Sequence, residues 1–128
     1  MTRHEVGIDL IDVDRIVAVL GRYPDRFRHR ILTPSEDRYC RGRPERIAGR
    51  WAAKEAVTKA LGCGLIQWNG IEVVRLPRQA PTVRITGDKI RRFADMVGVR
   101  EEDLHISITH SELSAVAVCI VRKEQLSG

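Results

Sequence analysis

Aromatic residues are scarce, at 5% of 128 residues. A core built with so few must rest on Val, Ile, Leu and Ala, and a binder of single-stranded nucleic acid would lack stacking platforms, with Trp51 and Trp68 isolated in the chain. Cysteine is rare as well: Cys40, Cys63 and Cys119 are odd in number, far apart and without a CxxC pair. That argues against a disulfide framework or a cysteine zinc site and fits a reducing cytoplasm. No apolar run approaches the roughly 20 residues needed to cross a bilayer, and the opening Met1 to Glu5 lacks a signal-peptide core. We therefore expect a soluble, untargeted chain with no membrane partner. A GxGxxG or Walker A loop and a GxSxG elbow are missing, as are internal repeats, low-complexity stretches and interdomain linkers. Residues 1–128 are expected to form one domain.

What the chain does have is positive charge. Lys and Arg total 22 against 17 Asp and Glu, a net charge of +5, which favours an acidic partner: nucleic acid, an anionic membrane, a phosphorylated ligand or an acidic protein. Five arginines fall in sixteen positions, Arg15, Arg22, Arg26, Arg28 and Arg30, with Phe27 as an apolar anchor among them. Such a patch suits docking of an acidic protein by charge steering plus a few apolar contacts. Nucleic-acid backbone and a merely solvated basic face are the alternatives.

Along the chain, Val6, Ile8 and Leu10 alternate with Gly7, Asp9 and Ile11, a strand with one buried face. Asp9 is unusual there, since aspartate is costly to bury unpaired; a solvated strand end or a bound cation would account for it. Asp12 can cap a helix running to about Leu20, stopped by Gly21. Thr33, Pro34 and Glu36 spell N-cap, N1 and N3 of a short helix with a capping box, a role that accounts for Glu36. Residues 71–76 and 82–86 read as two short antiparallel strands joined across Pro77 and Pro81. A small amphipathic helix from Gly87 and Asp88 to Val97 follows, ended by Gly98. His105 to Thr109 and Ala115 to Val121 form a hairpin whose second strand is apolar enough for the sheet interior. His105, Ser107 and Thr109 share one polar face, either solvated or a ligand wall, and His110 is read as a hairpin cap.

The centre of the chain is the helix opened by Pro44 and Glu45 and carried through Arg50 to Leu61, with glycines at 62 and 64 as its stop. At about 100° per residue, Ala53, Val57, Ala60 and Leu61 lie on one side. On the other, Glu55 and Lys59 stand at i, i+4 among Ala48, Ala52 and Ala56, a wall of methyl groups that another backbone or a ligand can approach. The pair is either a solvated salt link or a phosphate site, with Glu55 on a metal, Lys59 on a phosphate and backbone amides coming near at the glycines. The helix alone does not decide.

Taken together, Gly7-Ile8-Asp9, Arg30-Ile31-Leu32-Thr33 with Glu36, Ala48-Gly49-Arg50-Trp51-Ala52-Ala53-Lys54-Glu55-Ala56 with Lys59-Ala60-Leu61-Gly62, Ile71-Glu72-Val73 and His105-Ile106-Ser107-Ile108-Thr109-His110 resemble the 4'-phosphopantetheinyl transferases. Within that family the chain is most similar to the short bacterial holo-acyl-carrier-protein synthases, over nearly its whole length. The resemblance implies an α+β fold with an antiparallel sheet packed on a long central helix. It also implies transfer of the phosphopantetheine arm of coenzyme A to a serine of an apo acyl carrier protein, releasing adenosine 3',5'-bisphosphate. Mg²⁺ would be held by Asp9 and Glu55, and Lys59 would hold phosphate charge. Glu55 would also take the serine proton, directly or through a bound water. Arg50, Lys54, Lys59, Gly62, Gly64, His105, Ser107 and Thr109 would line the coenzyme A cleft, and Arg15, Arg22, Arg26 and Phe27 would dock the carrier. Members of this short type assemble as trimers with coenzyme A between subunits, and the carrier explains the positive charge without nucleic acid. Three departures stand out: Cys63 replaces a common Thr, the 65–69 loop is short, and Gln79-Ala80-Pro81 replaces a Gly-Lys-Pro turn. A basic RNA-binding module and a non-catalytic structural subunit are the competing readings.

Overall fold

The computed structural model describes residues 1–64 and 67–124. Strand β1 (Thr2–Asp12) leads into helix α1 (Val13–Arg22), followed by α2 (Pro24–Ile31), α3 (Pro34–Cys40) and the 18-residue α4 (Pro44–Leu61). Strands β2 (Ile71–Val74) and β3 (Thr82–Ile85) pair with each other, α5 (Asp88–Met96) follows, and β4 (Leu104–His110) and β5 (Ser114–Glu124) close the chain. The main sheet is antiparallel in the order β1-β5-β4, so the apolar β5 is its central strand, as its composition suggested.

Helix α4 lies across one face of this sheet and is buried on nearly every side. The wall of Ala48, Ala52 and Ala56 is not open to a ligand: all three are fully buried, because another backbone has come up against that side. Gly7 of β1 makes the approach. A Cβ there would stand 2.7 Å from the Ala60 amide nitrogen and overlap the Ala56 carbonyl oxygen, so only glycine fits.

That contact fixes which face of β1 looks inward, and it is not the expected one. Gly7, Asp9 and Ile11 face the helix, paired with Cys119, Ala117 and Ala115 of β5. Val6, Ile8 and Leu10 point away and are 56%, 57% and 64% exposed. Alternation alone could not choose between faces that were both partly apolar, whereas a glycine in mid-strand marks the close approach.

The connection to α4 also differs from expectation. Gly21 does not end α1; the break falls at Tyr23, because Pro24 has no N–H and keeps the residue before it out of helical geometry. The basic run from Pro24 to Ile31 is itself a helix, buried through Phe27 and Ile31 at i, i+4. Thr33 and Glu36 do form the capping box that starts α3.

Candidate active site

The bend of β1 against α4 brings together residues fifty positions apart. Lys59 Nζ donates to Asp9 Oδ1 at 3.0 Å and to the Ile8 carbonyl oxygen at 3.1 Å. Glu55 lies one helical turn before Lys59, half-buried. Its carboxyl is pushed up from the ordinary range, first by burial and then by the charge on Asp9, against the opposing pull of Lys59. A carboxyl raised by burial and by a neighbouring carboxylate, beside a lysine, makes a natural cation site. Among the described residues no cluster of three or more His, Cys, Asp or Glu could hold a metal by itself. Asp9 and Glu55 are oxygen donors of the type that a hard ion such as Mg²⁺ takes, one or two carboxylates with water and phosphate oxygens completing the shell.

The helix ends in Gly62 at φ 85°, in the left-handed conformation. The Gly62 and Cys63 amides both donate back to the Thr58 carbonyl oxygen, so these two are spent on capping the helix, while Gly64 is exposed just beyond it. Cys63 is half-buried with Sγ 3.7 Å from that same carbonyl oxygen. Positions 65 and 66 of the short loop after it lie outside the described residues.

Two residues assigned to the coenzyme A cleft have other places. Lys54 is fully buried and donates to Glu36 Oε1 at 2.6 Å and to the Ile31 carbonyl oxygen at 2.5 Å. It is an interior ion-pair partner and is not available to line a cleft, because the helix turns it 100° away from Glu55 and into the core. Glu36 is accordingly more than a cap. Arg50 is also buried, its guanidinium carbon 4.2 Å from the centre of the Tyr39 ring.

His105, Ser107 and Thr109 are exposed as a wall, but on the opposite face of the sheet from Asp9. They pair with Ile120, Val118 and Val116 of β5, which pair in turn with Val6, Ile8 and Leu10. The three strands thus form one continuous outward face, apolar in its β1 and β5 columns and polar along β4. A single chain does not bring this wall and the Asp9–Lys59 pair into one cleft. His110 falls on the helix side, where a Cβ on Gly49 would be 3.6 Å from its ring.

On the basic surface Arg15, Arg22 and Arg26 are exposed, while Phe27 is buried and stacks on Trp51 at 5.8 Å, with Trp68 a further 4.3 Å from Trp51. The two tryptophans pack against the core together and are not isolated. Phe27 forms the floor of a groove of about 220 Å³ whose walls are Val19, Tyr23, Arg26 and Arg30. The exposed apolar contact there is Tyr23, which sequence reasoning missed; its position immediately before Pro24 was the available signal. A cavity of about 510 Å³ between Thr33, Asp37, Arg38 and Asn69 contains none of the expected site residues.

The sequence profile of the 4'-phosphopantetheinyl transferase superfamily matches residues 5–109. The chain belongs to that superfamily. It is 42% identical to the holo-[acyl-carrier-protein] synthase of Koribacter versatilis, covering 90% of this chain and 94% of that one. The synthase of Gloeobacter violaceus is 41% identical with 92% of each chain covered. Among solved structures, the Helicobacter pylori holo-[acyl-carrier-protein] synthase in complex with coenzyme A superposes with a TM-score of 0.78 at 32% identity, covering 91% of this chain and 98% of that one. The expected family and α+β fold are borne out, and with them the class of enzyme, a 4'-phosphopantetheinyl transferase.

Proposed function

We propose that this transferase moves the 4'-phosphopantetheine arm of coenzyme A onto a serine hydroxyl of an apo acyl carrier protein and releases adenosine 3',5'-bisphosphate. The observation that carries the reading is the meeting of Asp9, Glu55 and Lys59 at the edge of α4. Asp9 and Glu55 would hold Mg²⁺, which when bound neutralises pyrophosphate charge and polarises the phosphorus under attack. Lys59, half-exposed on a flexible arm, is placed to leave Asp9 for a phosphate oxygen and to stabilise charge on the departing bisphosphate. As the serine oxygen bonds to phosphorus and the bond to the bisphosphate oxygen breaks, the serine proton passes to Glu55, directly or through a bound water.

The outward sheet face supports a homotrimer. Val6, Ile8, Leu10 and Ile120 are exposed large apolar residues on one surface, more than a soluble monomer keeps without use. One chain keeps the His105-Ser107-Thr109 wall and the Asp9–Lys59 pair on opposite faces of its sheet, so a cleft that uses both would draw the wall from a neighbouring subunit, with coenzyme A bound between the two. Arg15, Arg22 and Arg26 around the Tyr23 and Phe27 groove fit an acidic carrier surface, a use for the net positive charge that needs no nucleic acid. No helix among the described residues is long and apolar enough to cross a membrane. The three free thiols suit a reducing cytoplasm and a single domain without cross-links.

The test is intact mass spectrometry of an apo acyl carrier protein incubated with the chain, coenzyme A and Mg²⁺, beside an EDTA control. A metal-dependent gain of one phosphopantetheine supports the reading. No gain on fatty-acid, polyketide or peptidyl carriers overturns it.

A further inference from the structure

The interior of the molecule holds an ion pair that the transfer chemistry does not use. Glu36 Oε1 accepts from the Thr33 amide at 3.0 Å and from Lys54 Nζ at 2.6 Å, while Oε2 accepts from the Val73 amide at 3.0 Å. The Lys54 ammonium also donates to the carbonyl oxygen of Ile31, the last residue of α2. Both side chains are fully buried. The pair therefore joins four elements at one point: the negative C-terminal end of α2, the positive first turn of α3, the middle of α4, and β2. The cation faces the negative end and the anion the positive end, the arrangement that helix dipoles favour.

A buried pair of this kind is seldom more stabilising than apolar residues of the same size, but its hydrogen bonds have fixed directions. Methyl groups in the same space would tolerate a small rotation or slide of α4, whereas an ammonium bonded to a carbonyl and a carboxylate does not. Lys54 immediately precedes Glu55 and lies five residues before Lys59. From the other side, Gly7 presses β1 onto the Ala56 and Ala60 backbone and sets how near Asp9 comes. One contact sets the spacing of strand and helix; the other is free to set the helix's rotation and register.

We propose that Lys54 and Glu36 are positioning residues for transfer: their buried pair locks the turn of α4 that carries Glu55, and so aligns it with Asp9 and Lys59. The inference rests on the functional reading above. It makes the lysine and glutamate neighbours in the Lys54-Glu55 motif serve different ends, one holding the helix and the other working at its surface.

The experiment compares the full chain with the double variant Lys54→Met, Glu36→Gln, which removes both charges at nearly constant volume, and with Lys54→Arg, which keeps the pair but lengthens its arm. Thermal melts, steady-state transfer to an apo acyl carrier protein, and calorimetry of coenzyme A with and without Mg²⁺ are measured on each. The expected result is a folded variant whose kcat falls about tenfold to a hundredfold, the scale of an ångström-level misplacement, with KM for the carrier within about twofold of the starting value. The gain in coenzyme A affinity on adding Mg²⁺ should shrink, while the metal-free affinity stays. Should the double variant fail to fold, Lys54→Arg decides alone by the same kcat and Mg²⁺ criteria. A folded variant with unchanged kcat and an unchanged Mg²⁺ effect overturns the proposal. Absence of transfer by the unaltered chain overturns the functional reading instead, and the two failures are thereby told apart.

Discussion

Two carboxylate–ammonium pairs hang from the same helix. Lys54 meets Glu36 at 2.6 Å with both side chains wholly buried; Lys59 meets Asp9 at 3.0 Å with the side chains 51% and 15% exposed. In the first pair every partner is protein, and both Glu36 oxygens are already in use. The second is reached by water and borders a half-buried Glu55. A carboxylate can exchange its lysine for a metal ion, and a lysine its carboxylate for a phosphate, only where the charges exposed by the exchange can be solvated or re-paired at once. Burial, and not the chemistry of the groups, separates a sealed ion pair from one that can exchange partners.

The largest effect is expected at Glu55. Glu55→Gln should cut transfer by about a thousandfold or more, read by the carrier mass shift, while the metal-free protein melts slightly higher at pH 7. The sign follows from the raised carboxyl: the folded chain holds that proton more tightly than the unfolded chain. Ionisation therefore takes stability away as pH climbs from the ordinary value of 4.5 through the raised one. Neutral Gln escapes the loss, so the difference in melting temperature should vanish near pH 4. Adding Mg²⁺ at pH 7 should reverse the order, because only the unaltered protein gains a ligand.

Charge on the outward face should act nearly as strongly. Ile8→Glu with Leu10→Glu is expected to give monomers in sedimentation and to lower transfer about a hundredfold, since the cleft proposed between subunits would be lost while the chain stays folded. Trimers with full activity would place the interface elsewhere.

The two lysines can then be compared directly. Lys54→Met alone leaves Glu36 charged in the core and should cost about 3–5 kcal/mol in chemical denaturation. Lys59→Met should cost less than about 1 kcal/mol, yet lower kcat about a hundredfold. Equal stability losses would mean that burial does not distinguish the two lysines. The smallest effect belongs to the docking surface: Arg22→Glu with Arg26→Glu should raise KM for the carrier about tenfold and leave coenzyme A affinity alone.

Much of this was legible in the chain. The capping box at Thr33 and Glu36, the span of α4, the hairpin with its interior strand, and the candidacy of Asp9, Glu55 and Lys59 were all readable, because each is written in local spacing or in a motif. The outward turn of Val6, Ile8 and Leu10, the burial of Phe27, Arg50 and Lys54, and the separation of His105, Ser107 and Thr109 from Asp9 were not. Each of these depends on which side of an element meets a neighbour, and helical or strand periodicity is silent on that when both sides carry apolar groups.

The family, most of the elements and the identity of the charged groups were written in the chain, since helix caps, strand alternation and motif order are properties of neighbours along it. Which of these charges stay within reach of water was settled by tertiary packing. Gly7 against α4 turned Asp9 inward to meet Lys59, and the convergence of α2, α3, α4 and β2 sealed Lys54 with Glu36. Exposure to water, which makes a charge exchangeable, is set by contacts between residues far apart in the chain.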